Sequence, residues 1–116
     1  MLTSGGQPYG VCTGSDDTVW YTLLDADRIG HITADGRAEE FSLSLGCMPS
    51  MIWAGPDGAL WVTLNQANAI CRCSIAGDIT TYPLPTPGAA PVGICASQDA
   101  VWIALEAGTL AHLTCG

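Results

Sequence analysis

Lysine is missing from this chain of 116 residues, and arginine occurs only at Arg28, Arg37 and Arg72, against 11 acidic side chains and a net charge of −8. Proteins that grip nucleic acid neutralise phosphates with many basic side chains, so that function class is excluded. An anionic membrane surface is disfavoured for the same reason. Long apolar runs are also lacking: none approaches the roughly 20 residues that span a bilayer. The start, Met1-Leu2-Thr3-Ser4-Gly5-Gly6, has neither the basic residues nor the apolar stretch of an export signal, so a cytosolic location is expected. Charged residues are scarce at 12%, yet hydrophobic ones reach 48%, which points to a packed core and away from disorder. Suitable partners are small neutral or cationic molecules, a divalent ion, or another protein chain.

Several chemical signatures are absent as well. There is no Ser-His-Asp set, no phosphate-cradling glycine loop and no zinc spacing. Asp16 and Asp17 are adjacent carboxylates, far short of the six or so oxygens a Ca²⁺ or Mg²⁺ ion takes. Six cysteines without an export signal are expected to be reduced. Cys71 and Cys73 form a C-x-C whose thiols share one face of a strand. No second such pair stands nearby, so both read as small buried apolar residues.

What the chain does have is a repeat. Pro8-Tyr9-Gly10-Val11, Pro49-Ser50-Met51-Ile52 and Pro91-Val92-Gly93-Ile94 open three units 41 and 42 residues apart, and Trp20, Trp61 and Trp102 follow at even spacings of 41. The units cover approximately 8–48, 49–90 and 91–116. Asp-Gly and similar turns (Asp35-Gly36, Pro56-Asp57-Gly58, Gly77-Asp78) separate short runs rich in β-formers. No stretch shows the 3.6-residue apolar period of a helix. A period near 40 with four strands per unit predicts an all-β chain of β-propeller blades, the last lacking its outer strand. Propellers close with about four to eight blades, so closure by homo-oligomerisation is expected, a homodimer supplying six. Residues 1–7 read as the linker that follows a fourth strand, 2–8 lining up with 85–91.

Three stretches carry a family resemblance. Gly55-Pro56-Asp57-Gly58-Ala59-Leu60-Trp61, Asn65-Gln66-Ala67-Asn68-Ala69-Ile70 and Asp78-Ile79-Thr80-Thr81-Tyr82-Pro83-Leu84 resemble the blade consensus of the streptogramin B (virginiamycin B) lyases. The resemblance covers essentially the whole chain and is to the three C-terminal blades. It implies a seven-bladed propeller that opens cyclic depsipeptide antibiotics by elimination at the ester bond, with Mg²⁺ as cofactor.

The resemblance also implies where chemistry belongs. The family's last blade opens with Glu-Pro-His-Gly-Ile, the His being catalytic; here the stretch is Ala90-Pro91-Val92-Gly93-Ile94. A second active-site His belongs after the preceding blade's opening Pro, where Ser50 stands. Glu106 falls at the position of a functional carboxylate. Valine and alanine cannot carry a proton, so the chain alone is expected to be a non-catalytic propeller fragment that assembles and binds a small ligand. The alternative is a lyase that opens streptogramin B antibiotics by Mg²⁺-dependent elimination. Tyr9, Ser50 and Trp53 are the candidate ligand contacts. His31 and His112 share one repeat column with Arg72 and read as scaffold, while Trp20, Trp61 and Trp102 read as core.

Overall fold

The computed structural model describes residues 8–84, 88–97, 99–106 and 108–114, and the side chains of all these except 113 and 114. The first sheet contains β1 (Pro8–Thr13), β2 (Val19–Leu23), β3 (Arg28–Ile32) and β4 (Ala38–Ser42). The second contains β5 (Pro49–Ala54), β6 (Leu60–Leu64), β7 (Ala69–Cys73) and β8 (Ile79–Pro83), with one 3-10 turn at Asn65–Ala67. The third contains β9 (Pro91–Ser97), β10 (Ala100–Leu105) and β11 (Leu110–Thr114). Every sheet is an antiparallel meander in chain order. Among the described residues the third has no fourth strand, as the repeat predicts. The linker reading of residues 1–7, and part of its counterpart at 85–87, lie outside the described residues.

Turn chemistry sets these hairpins. Gly36, Gly58 and Gly77 take φ of 88°, 85° and 96°, a region that L side chains rarely enter. Thr18 stays outside β2, its amide and hydroxyl both donating to Asp16.

The sheets stack face to face, each touching its sequence neighbour through the inner strands β1, β5 and β9. Two apolar layers result. Between the first and second sheets, Trp20 and Ile29 pack against Ile52, Leu60 and Val62. Between the second and third, Trp61 and Ile70 pack against Ile94, Val101 and Ile103. Cys71 and Cys73 are fully buried in the first layer. The reading of all three repeating tryptophans as core needs one correction. Trp20 and Trp61 are buried, but Trp102 is 40% exposed, because no further blade of this chain covers its face. It stacks instead on His112, with ring centroids 4.8 Å apart.

Candidate functional site at the inner-strand mouth

Each inner strand begins at its proline with a register shift, so Tyr9, Ser50 and Val92 sit at equivalent bulges. Bulges bend a strand and re-aim side chains, and they recur beside active sites. In the first two sheets a threonine on the second strand fills the gap in the ladder. Thr22 Oγ1 accepts the Gly10 amide at 2.8 Å and donates to the Ser50 carbonyl of the next sheet at 2.7 Å. Thr63 Oγ1 accepts the Met51 amide at 3.0 Å and donates to the Val92 carbonyl at 3.1 Å. Ala104 holds that place in the third sheet, without a hydroxyl.

Around Val92 the predicted residues converge. The Glu106 amide donates to the Ala90 carbonyl at 3.1 Å. Asn65 Nδ2 donates to Glu106 Oε2 at 3.0 Å and to the Pro91 carbonyl at 3.1 Å. Ala90, Val92 and Glu106 thus meet at one junction between the second and third sheets, with the exposed Glu106 carboxylate at its rim. Ser50 is buried, and its hydroxyl donates to the Met48 carbonyl at 3.2 Å. Tyr9 is exposed and lines a shallow groove of about 290 Å³ with Val11, Val19 and Tyr21, on the free face of the first sheet. Trp53 stands four residues along β5 from Pro49, about 13 Å from the mouth at strand rise, and is half-exposed. The structure therefore brings Ala90, Val92 and Glu106 together and leaves Tyr9 and Trp53 apart.

Sequence reasoning missed two residues that hold this mouth in place. Asp27 and Asn68 occupy one repeat column, both in left-handed conformation with φ of 54° and 52°. Asp27 accepts the amides of Gly46 and Met48 at 2.8 and 3.1 Å. Asn68 Oδ1 accepts those of Ala89 and Ala90 at 2.8 and 3.3 Å. Each pins the linker that leads into the next inner strand. Aspartate and asparagine both tolerate left-handed backbone, and that shared trait is the signal their column carried.

The histidine and cysteine readings are answered by geometry. His31 lies on β3, stacked on Trp20 at 4.0 Å, bonded to Thr18 Oγ1 at 2.6 Å and close to Asp16 and Glu39. This is a place in the scaffold, away from the inner strands. Burial pushes the Cys73 thiol up to about 11 and Cys71 higher still, the Cys71 shift reinforced by the neighbouring Cys73 and Cys47.

The sequence model of the Virginiamycin B lyase family matches residues 1–116. The chain belongs to that family. It is 42% identical over 107 residues to the Virginiamycin B lyase of Nocardia farcinica, an alignment covering 91% of this chain and 38% of that relative. It is 49% identical over 84 residues to that of Saccharopolyspora erythraea, covering 72% and 28%. A solved streptogramin B lyase superposes with a TM-score of 0.85 at 37% identity, covering 99% of this chain and 43% of that one. A catalytically inactive virginiamycin B lyase from Staphylococcus aureus with Quinupristin gives 0.84 at 36% identity, covering 98% and 43%. The three sheets are therefore β-propeller blades, and the chain spans about two-fifths of the length of these relatives.

Family membership implies Mg²⁺, so the donors can be tested against it. Mg²⁺ takes near-octahedral oxygens, commonly one or two carboxylates with substrate and water. Among the described residues no three of His, Cys, Asp and Glu gather as a metal set. At the mouth junction Glu106 is the carboxylate, and one of its oxygens is engaged by Asn65. These donors do not fit a resident Mg²⁺ by themselves.

Proposed function

We propose that this virginiamycin B lyase-like chain supplies three blades and part of the ligand-facing mouth of a propeller, and that alone it binds a cyclic depsipeptide without opening it. One observation supports this above the others: Val92 and Ala90 stand where the family resemblance places the catalytic His and its Glu. Their backbone carbonyls are engaged by Thr63 and Glu106, so the strand is held in place while its side chains have no proton to move. Loss of a general base costs about 10²–10⁴-fold in rate. Glu106 supplies the carboxylate at the junction, a hydrogen-bond acceptor for a bound amide.

The alternative, elimination by this chain itself, draws on the placement of Glu106 beside the strand. Incubation with Quinupristin and Mg²⁺, followed by chromatography and mass measurement, separates the two. Elimination converts the ring to an open isomer of unchanged mass, whereas hydrolysis adds one water. Intact ring eluting with the protein is the expected result. A shifted product of unchanged mass overturns it. In the Val92→His, Ala90→Glu double variant, a gain of that isomer is expected if the rest of the pocket is in place.

A further inference from the structure

The joint between the first and second sheets and the joint between the second and third share most of their polar bonds. Thr22 and Thr63 each send a hydroxyl to the carbonyl of the next bulge residue. The amides of Asn65 and Glu106 each donate to the carbonyl before the next opening proline, at 3.2 and 3.1 Å. Bonds made at both joints are those that stacking one blade on another requires. The side chain of Asn65 stands outside this scheme. It belongs to the column Leu24, Asn65 and Glu106, the residue that follows the second strand of each sheet. At the first joint that column offers a leucine, which has no side-chain donor, and the joint forms without one. The scaffold therefore does not call for an asparagine here.

At the second joint Asn65 commits its whole carboxamide. Nδ2 donates to the Pro91 carbonyl at 3.1 Å and to Glu106 Oε2 at 3.0 Å, while Oδ1 accepts Gln66 Nε2 at 2.9 Å. Turning the amide over would set its oxygen against a carboxylate and a carbonyl, so the partners fix which end faces Glu106. Pro91 is buried and immediately precedes Val92. One carboxamide thus ties an exposed carboxylate to the backbone of the mouth strand. A glutamate turns about three side-chain bonds, and fixing it before a ligand arrives reduces what binding must order.

We propose that Asn65 is a positioning residue of the mouth: it holds Glu106 Oε2 so that Oε1 is presented to an N–H group of a bound peptide ring. The proposal rests on the ligand-binding reading of the mouth given above, and adds to it the group that aims the acceptor. A carboxylate held in this way favours a ligand that brings a free amide N–H to that point over one that brings an ester oxygen, which cannot donate.

Calorimetric titration with Quinupristin, without added metal, and the side-chain amide NMR signals of nitrogen-labelled protein provide the test. Asn65→Leu installs the residue of the first joint, so unchanged far-ultraviolet circular dichroism is expected. Its affinity should fall roughly tenfold, the worth of one hydrogen bond to a charged group. In the Glu106→Ala background the same substitution should change affinity by less than about twofold, since no carboxylate is left to hold. A packing role would cost as much in both backgrounds. That result overturns the proposal, as does full affinity in Asn65→Leu. Should Asn65→Leu lose its sheet signal, Asn65→Ala replaces it. The spectrum speaks without any ligand: in Glu106→Ala the Asn65 Nδ2 signals should shift and exchange faster with water, while those of Asn68 stay in place. Unmoved Asn65 signals overturn the positioning role. A parent chain that binds no Quinupristin overturns the ligand-binding reading of the mouth, and the amide spectrum alone then decides whether Asn65 holds Glu106.

Discussion

Asp57 does three jobs with one carboxylate. Its Oδ1 accepts the Ala59 amide at 3.2 Å and the Trp61 indole at 3.1 Å, and its Oδ2 pairs with Arg72 Nε at 2.8 Å. Partial burial pushes its pKa up, but Arg72, Trp61 and the Ala59 amide outweigh that and hold it below the ordinary 3.8. Asp16 is lowered on the same pattern: burial raises it, and Thr18, Trp20 and His31 more than compensate. A carboxylate depressed by folding stabilises the fold above its unfolded pKa, and loses that contribution as pH falls through the depressed value. Urea midpoints should therefore fall as pH drops below about 4, and Asp57→Asn should flatten that fall. At neutral pH the same substitution should cost about 1 kcal/mol, since the pair is partly open to water. The sequence showed Asp57 as a turn residue and Asp16 as one of two adjacent carboxylates, and no more. Their bonds to an indole and to the third strand depend on how the hairpin folds back, which spacing alone does not reveal.

At the scale of the strand, the repeat was legible because proline, tryptophan and turn glycines recur at one period, each for a local reason. The threonine column was present in the same alignment and carried no such local reason. Thr22 and Thr63 matter because a bulge opens the ladder beside them, and bulges are not written in hydrophobic patterns. Thr22→Val keeps the shape but strands the buried Gly10 amide and the Ser50 carbonyl. We expect a loss of about 1–3 kcal/mol in unfolding free energy, and faster hydrogen exchange at Gly10 than at other inner-strand amides. The Asn65 to Glu106 bond follows a related rule. Its partners are 41 residues apart, one period, so they share a repeat column and meet across adjacent blades. Repeat alignment therefore locates cross-blade partners as well as equivalents.

For the molecule as a whole, the blade count was readable from the sequence, but the fate of the outermost faces was not. Trp102 is identical in type and strand position to Trp20 and Trp61, but no blade of this chain covers its face. Burial belongs to the stack and not to the strand. The candidate site is similar: its absent His and Glu could be named from a resemblance, while its convergence on Ala90, Val92 and Glu106 needed two blades side by side. Charge acts at this scale too. A net charge of −8 on a chain with three cations repels itself, and exposed charges are screened by salt. The thermal midpoint at neutral pH should rise between low and moderate sodium chloride, a shift that scanning calorimetry would register.

The substantial contacts between sheets are all between sequence neighbours, and the two apolar layers are separate. Tension applied to the two ends therefore loads a series of seams and no single shared core. The outer sheets peel first, since each is anchored on one side, and the doubly clasped middle sheet yields last. Release of the first or second sheet frees one period of about 41 residues, or roughly 140 Å of extended backbone, and release of the shorter third frees less, so the chain lengthens in discrete, unequal steps.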